Sequence, residues 1–504
     1  MTSYIISKTT FLEYLYCSKN IWLKMHRPEL LQKFRLSDFE RHLVEQGNEV
    51  ESCARNLFPG GIEVVSWGED ACTETVRLMT AKVPAIFQAT FIVDGFIARN
   101  DALKWNSVSN CFDLYEVKGT NKVKENTEDR DHITDVAFQV SVLRRANISL
   151  GRYFIIHLNK EYVRQGDLDV HALFTTEDVT DKVHEKLADV EIHMSIAREY
   201  LSSEKEPHGS CVCIHVGRKR HCTTFKHSNP HVPDYSVHDL SGIREKKLNL
   251  LIAQGIFDLN DVPEEFELSQ KQRNQICVHA HKKPIIESEK IQEKLSKLTF
   301  PLYFFDYEAL APAIPLFDGY GPYKTIPFQF SIHVLANSTA ELSHVEFLHQ
   351  ECSDPSEKMA KLLNEHVFPG GTMISWHKSY EQRVNRELAL RLPQYAPLME
   401  RINNSFYDLE EIFLDQHYIH PDFHGRTSIK KVLPALVPHL QYADLDIREG
   451  GQAADAWWTM ISPATRPEAR KKIAADLKTY CGLDTYAMYV IWRHLHEATV
   501  MKII

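Results

Sequence analysis

Residues 91–120 of this 504-residue chain, FIVDGFIARNDALKWNSVSNCFDLYEVKGT, constrain its fold more than any other stretch. Aromatic and β-branched residues recur in short runs, with turn formers between them. The pattern predicts three successive strands: Phe91 to Ala98, Ala102 to Trp105, and Phe112 to Val117 after a turn over Asn106 to Asn110. Asp101 then opens the second strand, and Glu116-Val117-Lys118 closes the third. Side chains alternate along a strand, so Glu116 and Lys118 point to the same face. That set suits phosphodiester hydrolysis. Asp101 and Glu116 can hold a hard cation, Mg²⁺ or Mn²⁺, which polarises the phosphate and lowers the pKa of an attacking water. Lys118 can orient that water or stabilise the added charge of the transition state.

A chain of this length exceeds what one core serves, and its patterning divides it. A strand-rich block from about Ile62 to Leu158 is entered from helical patterning around Leu43 to Leu57. A helix from Asp178 to about Leu201 leads into a cysteine- and histidine-rich loop, His208 to His227, without periodicity. From Val237 to Ala280 the pattern is helical again, one helix stopping at Gly255 and a second ending before Pro284. Strands then alternate with helices from Phe300 onward, which points to a second α/β domain. The expected organisation is a first domain over 1–235, a helical connector over 236–290 and a second domain over 291–504.

PLYFFDYEALAP places Asp306 and Glu308 on one face of a strand, after an apolar run. Two carboxylates at the end of a buried strand repel each other unless a cation sits between them. A helical pattern from Arg466 to His496 buries a stripe through Ile473, Leu477, Ala487 and Ile491, and Tyr480 and Asp484 lie on that stripe, one turn apart. An aspartate there must be paired or bind a metal.

Cys17 stands alone upstream, while Cys211, Cys213 and Cys222 sit together in SCVCIHVGRKRHC. Four thiolates bind zinc or an iron–sulfur cluster, and His215, His221 and His227 offer zinc further ligands. The start of the chain has no basic run before an apolar core, and no apolar stretch is long enough to span a membrane. The expectation is a cytoplasmic protein whose ten cysteines are thiols or ligands. The net charge of −10 restricts nucleic-acid binding to local basic patches, of which Arg218 to Arg220, Arg426 to Lys431 and Arg470 to Lys472 are candidates.

The motifs DGFIARNDALKW, YEVKGT and DVAFQVSVL together resemble the PD-(D/E)XK nucleases of the RecB-like family. The resemblance implies an active site of Asp101, Glu116, Lys118 and Gln139, with Leu143 where the family has tyrosine and Glu51 as a further candidate on the preceding helix. A lone cysteine before such a core and three after it resemble the family's iron–sulfur subgroup, which implies a 4Fe–4S cluster on Cys17, Cys211, Cys213 and Cys222, with zinc as the alternative. Asp306-x-Glu308 followed by Tyr480-x-x-x-Asp484 resembles the DEDD exonucleases of the RNase H-like fold. Their remaining ligand corresponds to Glu381 in ISWHKSYEQRVNREL, glutamate standing for aspartate, with Asp408 as runner-up. The implied fold is α/β, a PD-(D/E)XK domain, a helical connector and an RNase H-like domain. The implied activity is cleavage of DNA with Mg²⁺ or Mn²⁺ at both sites. RNA exonuclease activity, and a nucleic-acid-binding scaffold with a decayed site, are the alternatives.

Overall fold

In the computed structural model of the chain, which describes residues 4–31, 38–125 and 131–500, Asp94 and Gly95 adopt positive φ, 50° and 78°. They join two long antiparallel strands, Ala85–Val93 and Phe96–Asn106. The strand expected over Phe91 to Ala98 is therefore a hairpin turn with its flanks. Asp-Gly is the dipeptide a two-residue hairpin demands, because both turn positions need the left-handed region. Asp101 accordingly sits within its strand rather than opening one.

The molecule forms two units, Met1–His231 with Pro312–Tyr323, and Val232–Ala311 with Lys324–Ile504. Both are mixed α/β. The first is built on a seven-stranded sheet. Its strands are β1 (Ile6–Ser7), β2 (Ile62–Glu63), β3 (Ala85–Val93), β4 (Phe96–Asn106), β5 (Cys111–Lys118), β6 (Leu150–Leu158) and β7 (Phe174–Asp178). They run in the order β2-β3-β4-β5-β6-β7, with β1 parallel to β4. The longer helices are α1 (Lys8–Tyr16), α2 (Ser18–His26), α3 (Asp38–Ala54), α4 (Gly68–Thr80), α5 (His132–Arg145) and α6 (Thr180–Ser202). Two of them, α4 and α5, interrupt the block read as strand-rich. Helix α5 has no amphipathic stripe to betray it, because it is buried from His132 to Leu143 apart from Thr134. It carries the chain from β5 to the parallel β6, a connection that parallel pairing requires. Leu143 fills the core beside Phe11, Phe96 and Leu114.

The second unit has a five-stranded sheet of β8 (Leu302–Leu310), β9 (Ile326–Leu335), β10 (Ser343–Leu348), β11 (Thr372–Ser375) and β12 (Phe406–Asp408), in the order β10-β9-β8-β11-β12. The first three strands are antiparallel neighbours, and β11 and β12 run parallel to β8. Along β8, Tyr303, Phe305 and Tyr307 point into a core shared with α7 (Ser356–His366), α8 (Ser379–Arg391) and α9 (Ala396–Asn404). The alternate residues Phe304, Asp306 and Glu308 take the other face, where Phe304 meets Tyr489 and Trp492 of the terminal helix. Three more helices complete that face: α10 (Ile429–Leu436), α11 (Gly450–Ile461) and α12 (Pro467–Val500). Among the described residues no helix is long and apolar enough to cross a membrane.

Candidate active sites and metal centre

Pairing of β4 with β5 brings Asp101 against the end of β5, where its Oδ2 accepts the Val117 amide at 2.8 Å. Glu116 is 1 % exposed and both its oxygens are engaged. Its Oε1 accepts from Lys118 Nζ at 2.6 Å and from Lys8 Nζ at 2.7 Å, and its Oε2 accepts from Gln139 Nε2 at 2.7 Å. Asp135, one turn before Gln139 on α5, accepts from the same amide at 3.3 Å and pairs with Lys118 and, at 3.3 Å, with Lys8. Burial pushes the Glu116 carboxyl up, but the ammoniums of Lys118 and Lys8 outweigh it and hold the group well below the usual carboxylate range. Burial, with Glu116 close by, drives Asp101 well above its ordinary value. The site thus joins Asp101, Glu116, Lys118 and Gln139. Glu51 binds Arg55 and Gln88, at 2.8 and 2.6 Å.

Lys8 and Asp135 were not identified from sequence. Asp135 lies four residues before Gln139, a spacing that could have flagged it. Lys8 lies 108 residues from its partner Glu116, and no local pattern carries that contact.

Helix α1 ends on Cys17, which also begins α2 in an extended conformation. Its sulfur meets those of Cys211, Cys213 and Cys222; all four residues are buried and their Sγ atoms lie within 4.8 Å of one another. The Cys211 and Cys222 sulfurs are 3.8 Å apart, and Asn229 Nδ2 donates to Cys211 Sγ at 3.3 Å. Hydrogen bonds with the other three thiols push Cys211 down and Cys222 up, and those with Cys211 and Cys213 push Cys17 up. Four crowded sulfurs sharing protons could exchange them for a metal, and their spacing fits one tetrahedral zinc, for which Zn–S bonds of about 2.3 Å place sulfurs roughly 3.8 Å apart; an iron–sulfur cube holds its four thiolates farther apart. The neighbouring histidines are engaged otherwise: His221 stacks on Phe225 and bonds the Val216 carbonyl, and His227 pairs with Glu206.

In the second unit, Asp306, Glu308, Glu381, Tyr480 and Asp484 line one cavity of about 390 Å³, together with Tyr380, Trp376 and Lys430. The carboxylates come from three elements: β8, the first turn of α8, and α12. Burial, and then the nearby Asp484 carboxylate, raise Asp306 and Glu308 well above the ordinary carboxylate range. Burial lifts Glu381 to about 8, and lifts Asp484 to about 6 despite a hydrogen bond from Tyr442. That phenol donates to Asp484 Oδ1 at 2.5 Å. Glu381 Oε2 is buried with no hydrogen-bond partner, an arrangement that is costly for a carboxylate unless a cation completes it. Ligand atoms of Asp306, Glu308 and Cys481 lie within 4.8 Å of one another, close enough to hold one ion. The oxygen-rich set suits a hard divalent cation.

Lys430 is the cation of this cavity. Its Nζ sits 5.4 Å from the ring centroids of both Tyr442 and Tyr480 and donates to the Arg448 carbonyl at 2.5 Å. It belongs to the Arg426 to Lys431 stretch picked out as a basic patch. Tyr442 and Cys481 were missed. Asp408 is occupied elsewhere: it accepts the amides of His377 and Lys378, each at 3.0 Å, at the start of α8. It serves the helix end and does not line the cavity.

Residues 303–428 match a domain of unknown function, DUF2779. The matched segment carries Asp306, Glu308 and Glu381, but stops before Lys430, Tyr442, Tyr480 and Asp484. The chain is also similar to the uncharacterised protein MG366 homolog of Mycoplasma pneumoniae, 24% identical over 42% of this chain and 34% of that protein. The uncharacterised protein MG366 of Mycoplasma genitalium is 23% identical over 40% of this chain and 33% of its own length. The aligned part spans about a third of the length of each of these relatives. No solved structure matches the chain.

Proposed function

We propose that the chain is a metal-dependent nuclease with two active sites that degrade or trim DNA, in DNA repair or anti-phage defence. The observation that carries the proposal is the convergence of Asp306, Glu308, Glu381, Asp484 and Tyr480 on one cavity. Side chains spread over 179 residues of sequence, from Asp306 to Asp484, meet where buried carboxylates need cations. In this reading the first unit is a RecB-like PD-(D/E)XK nuclease, and the second is an RNase H-like DEDD exonuclease. The antiparallel β10-β9-β8 order followed by parallel β11 and β12 supports the second assignment.

Asp101 and Glu116 would hold one cation in the first unit, and Asp306, Glu308, Glu381 and Asp484 would hold cations in the second. Bound there, divalent ions supply Lewis acidity and a water of lowered pKa. Lys118 lies beside Glu116, ready to neutralise a phosphate oxygen, and Gln139 fixes the rotamer of Glu116. In the second cavity burial, with Asp484 close by, raises the Tyr480 phenol, so it stays protonated and positions water by hydrogen bonding. Lys430 offsets the charge of an incoming phosphate. Cys17, Cys211, Cys213 and Cys222 would hold a metal centre that ties Cys17 to the loop from Cys211 to Cys222, zinc by their close spacing and a 4Fe–4S cluster by the family resemblance. Anaerobic purification separates the two: the spacing expects colourless, zinc-replete protein, and brown protein containing iron and sulfide would reject zinc.

The decisive experiment is a time course on end-labelled single- and double-stranded DNA and RNA with Mg²⁺ or Mn²⁺. Lys118→Ala and Asp306→Ala should each remove one activity. Loss of neither, or digestion that persists in chelator, rejects the reading.

A further inference from the structure

Lys8 sits where a nuclease site has no evident need of it. Glu116 Oε1 already receives Lys118 at 2.6 Å, and Lys8 adds a second ammonium to the same oxygen at 2.7 Å. With Gln139 on Oε2, the carboxylate has a donor on each oxygen and two on one of them. For Glu116 to ligate a cation through Oε1, which already accepts from two ammoniums, one of them must leave.

The geometry selects which one. Lys118 is anchored twice, to Glu116 and closely to Asp135, and its side chain is 17% exposed. Lys8 holds Asp135 only at 3.3 Å, is 25% exposed, and stands at the first residue of its helix on a flexible four-carbon stem. It is the weaker-held donor and the one nearer solvent. The formal charges agree. Around Lys8, the carboxylates of Asp101, Glu116 and Asp135 bring three negative charges against two positive ones from Lys8 and Lys118; farther out, Glu51 and Glu63 share Arg55. One divalent cation turns the deficit of one into a surplus of one, which a single phosphodiester cancels.

We propose that Lys8 is a phosphate-binding residue of the first site, held on Glu116 and Asp135 until a cation takes Glu116. This rests on the first site being the metal-dependent site proposed above. Lys8 then has two opposite effects. It competes with the cation in the absence of nucleic acid, and it strengthens nucleic-acid binding once the cation is in place.

The test uses the full chain carrying Asp306→Asn and Asp484→Asn to silence the second cavity. Mn²⁺ binding is followed by electron paramagnetic resonance, and binding of a short single-stranded oligodeoxynucleotide is followed in Ca²⁺, another hard cation for oxygen donors. Removing a charge this close to a ligand should tighten Mn²⁺ binding by about tenfold in Lys8→Met and weaken oligonucleotide binding by a similar factor. Lys8→Arg should keep both values near the parent. Lys8→Gln, which retains a hydrogen-bond donor, should behave as Lys8→Met does and serves if the methionine variant misfolds. Unchanged or weaker Mn²⁺ binding in folded Lys8→Met and Lys8→Gln would overturn the proposal, since a merely structural lysine leaves the carboxylates looser when removed. Glu116→Gln separates the two levels. If it abolishes Mn²⁺ binding while the Lys8 variants change nothing, the site stands and Lys8 has no such role. If it leaves Mn²⁺ binding intact, the metal site itself fails and the proposal falls with it.

Discussion

Lys8 and Cys17 stand at opposite ends of one nine-residue helix, Lys8 as its first residue and Cys17 as its C-cap. At a rise of about 1.5 Å per residue the two lie roughly 13 Å apart along the axis. One end donates to Glu116, and the other joins three more cysteines. So short a helix has little stability of its own and depends on what anchors its ends. Stripping the metal from the cysteine centre, or replacing Cys17 by Ser, should therefore raise amide exchange across residues 8–16 by at least about tenfold. Mass-spectrometric hydrogen exchange would measure it, and unchanged protection would show that packing on Phe11 suffices.

Glu116→Gln and Lys118→Ala should each remove one nuclease activity while leaving the fold intact. Losing a cation ligand or the group that balances charge in the transition state costs on the order of 10²–10³-fold in rate. Circular dichroism with single-turnover cleavage would check both, and parental rates on every substrate would exclude a catalytic role for this site.

Asp484→Asn keeps the shape of the side chain and its place beside Tyr442 but deletes its charge. It should abolish exonuclease action of the second site with little loss of stability, because the carboxylate is held in repulsive company by Asp306 and Glu308. Tyr480→Phe should slow cleavage more than it weakens Mn²⁺ binding. The two variants compared on end-labelled single strands distinguish ligand from water-positioning roles.

His333 provides a pH dependence away from the carboxylates. Its ring stacks on His344 at 4.2 Å and its Nδ1 lies 2.8 Å from Thr485 Oγ1, with Tyr486 close by. Burial, with His344 adding repulsion, lowers it to about 4. The folded chain keeps the ring neutral, while an unfolded histidine titrates near 6.5. Its contribution is full above that value and is lost as pH falls toward about 4. The ring is only half-buried, so the loss is on the order of 1 kcal/mol. Denaturation midpoints of parent and His333→Gln should converge between pH 7 and pH 5; parallel curves would contradict it.

Local chemistry made much of the molecule readable from sequence. The alternation in PLYFFDYEA announces a strand with both carboxylates on one face. The Gly255 stop ends a helix because that residue takes positive φ (72°). Three cysteines within twelve residues announce a loop that could bind a metal. These features depend on neighbours in the chain, where backbone geometry alone sets what each residue can do. Other features depend on partners that only packing supplies. Helix α5 was hidden because burial on all sides erased its period. Asp408 and Glu381 were rivals on paper, and the helix end at His377 and Lys378 claimed Asp408. Lys8, Lys430 and Tyr442 became parts of the sites through contacts that cross 108, 50 and 42 residues. The sequence determined which residues carry the chemistry of carboxylate and thiol; tertiary structure decided which cations and phenols face them, because side-chain electrostatics act through space and not along the chain.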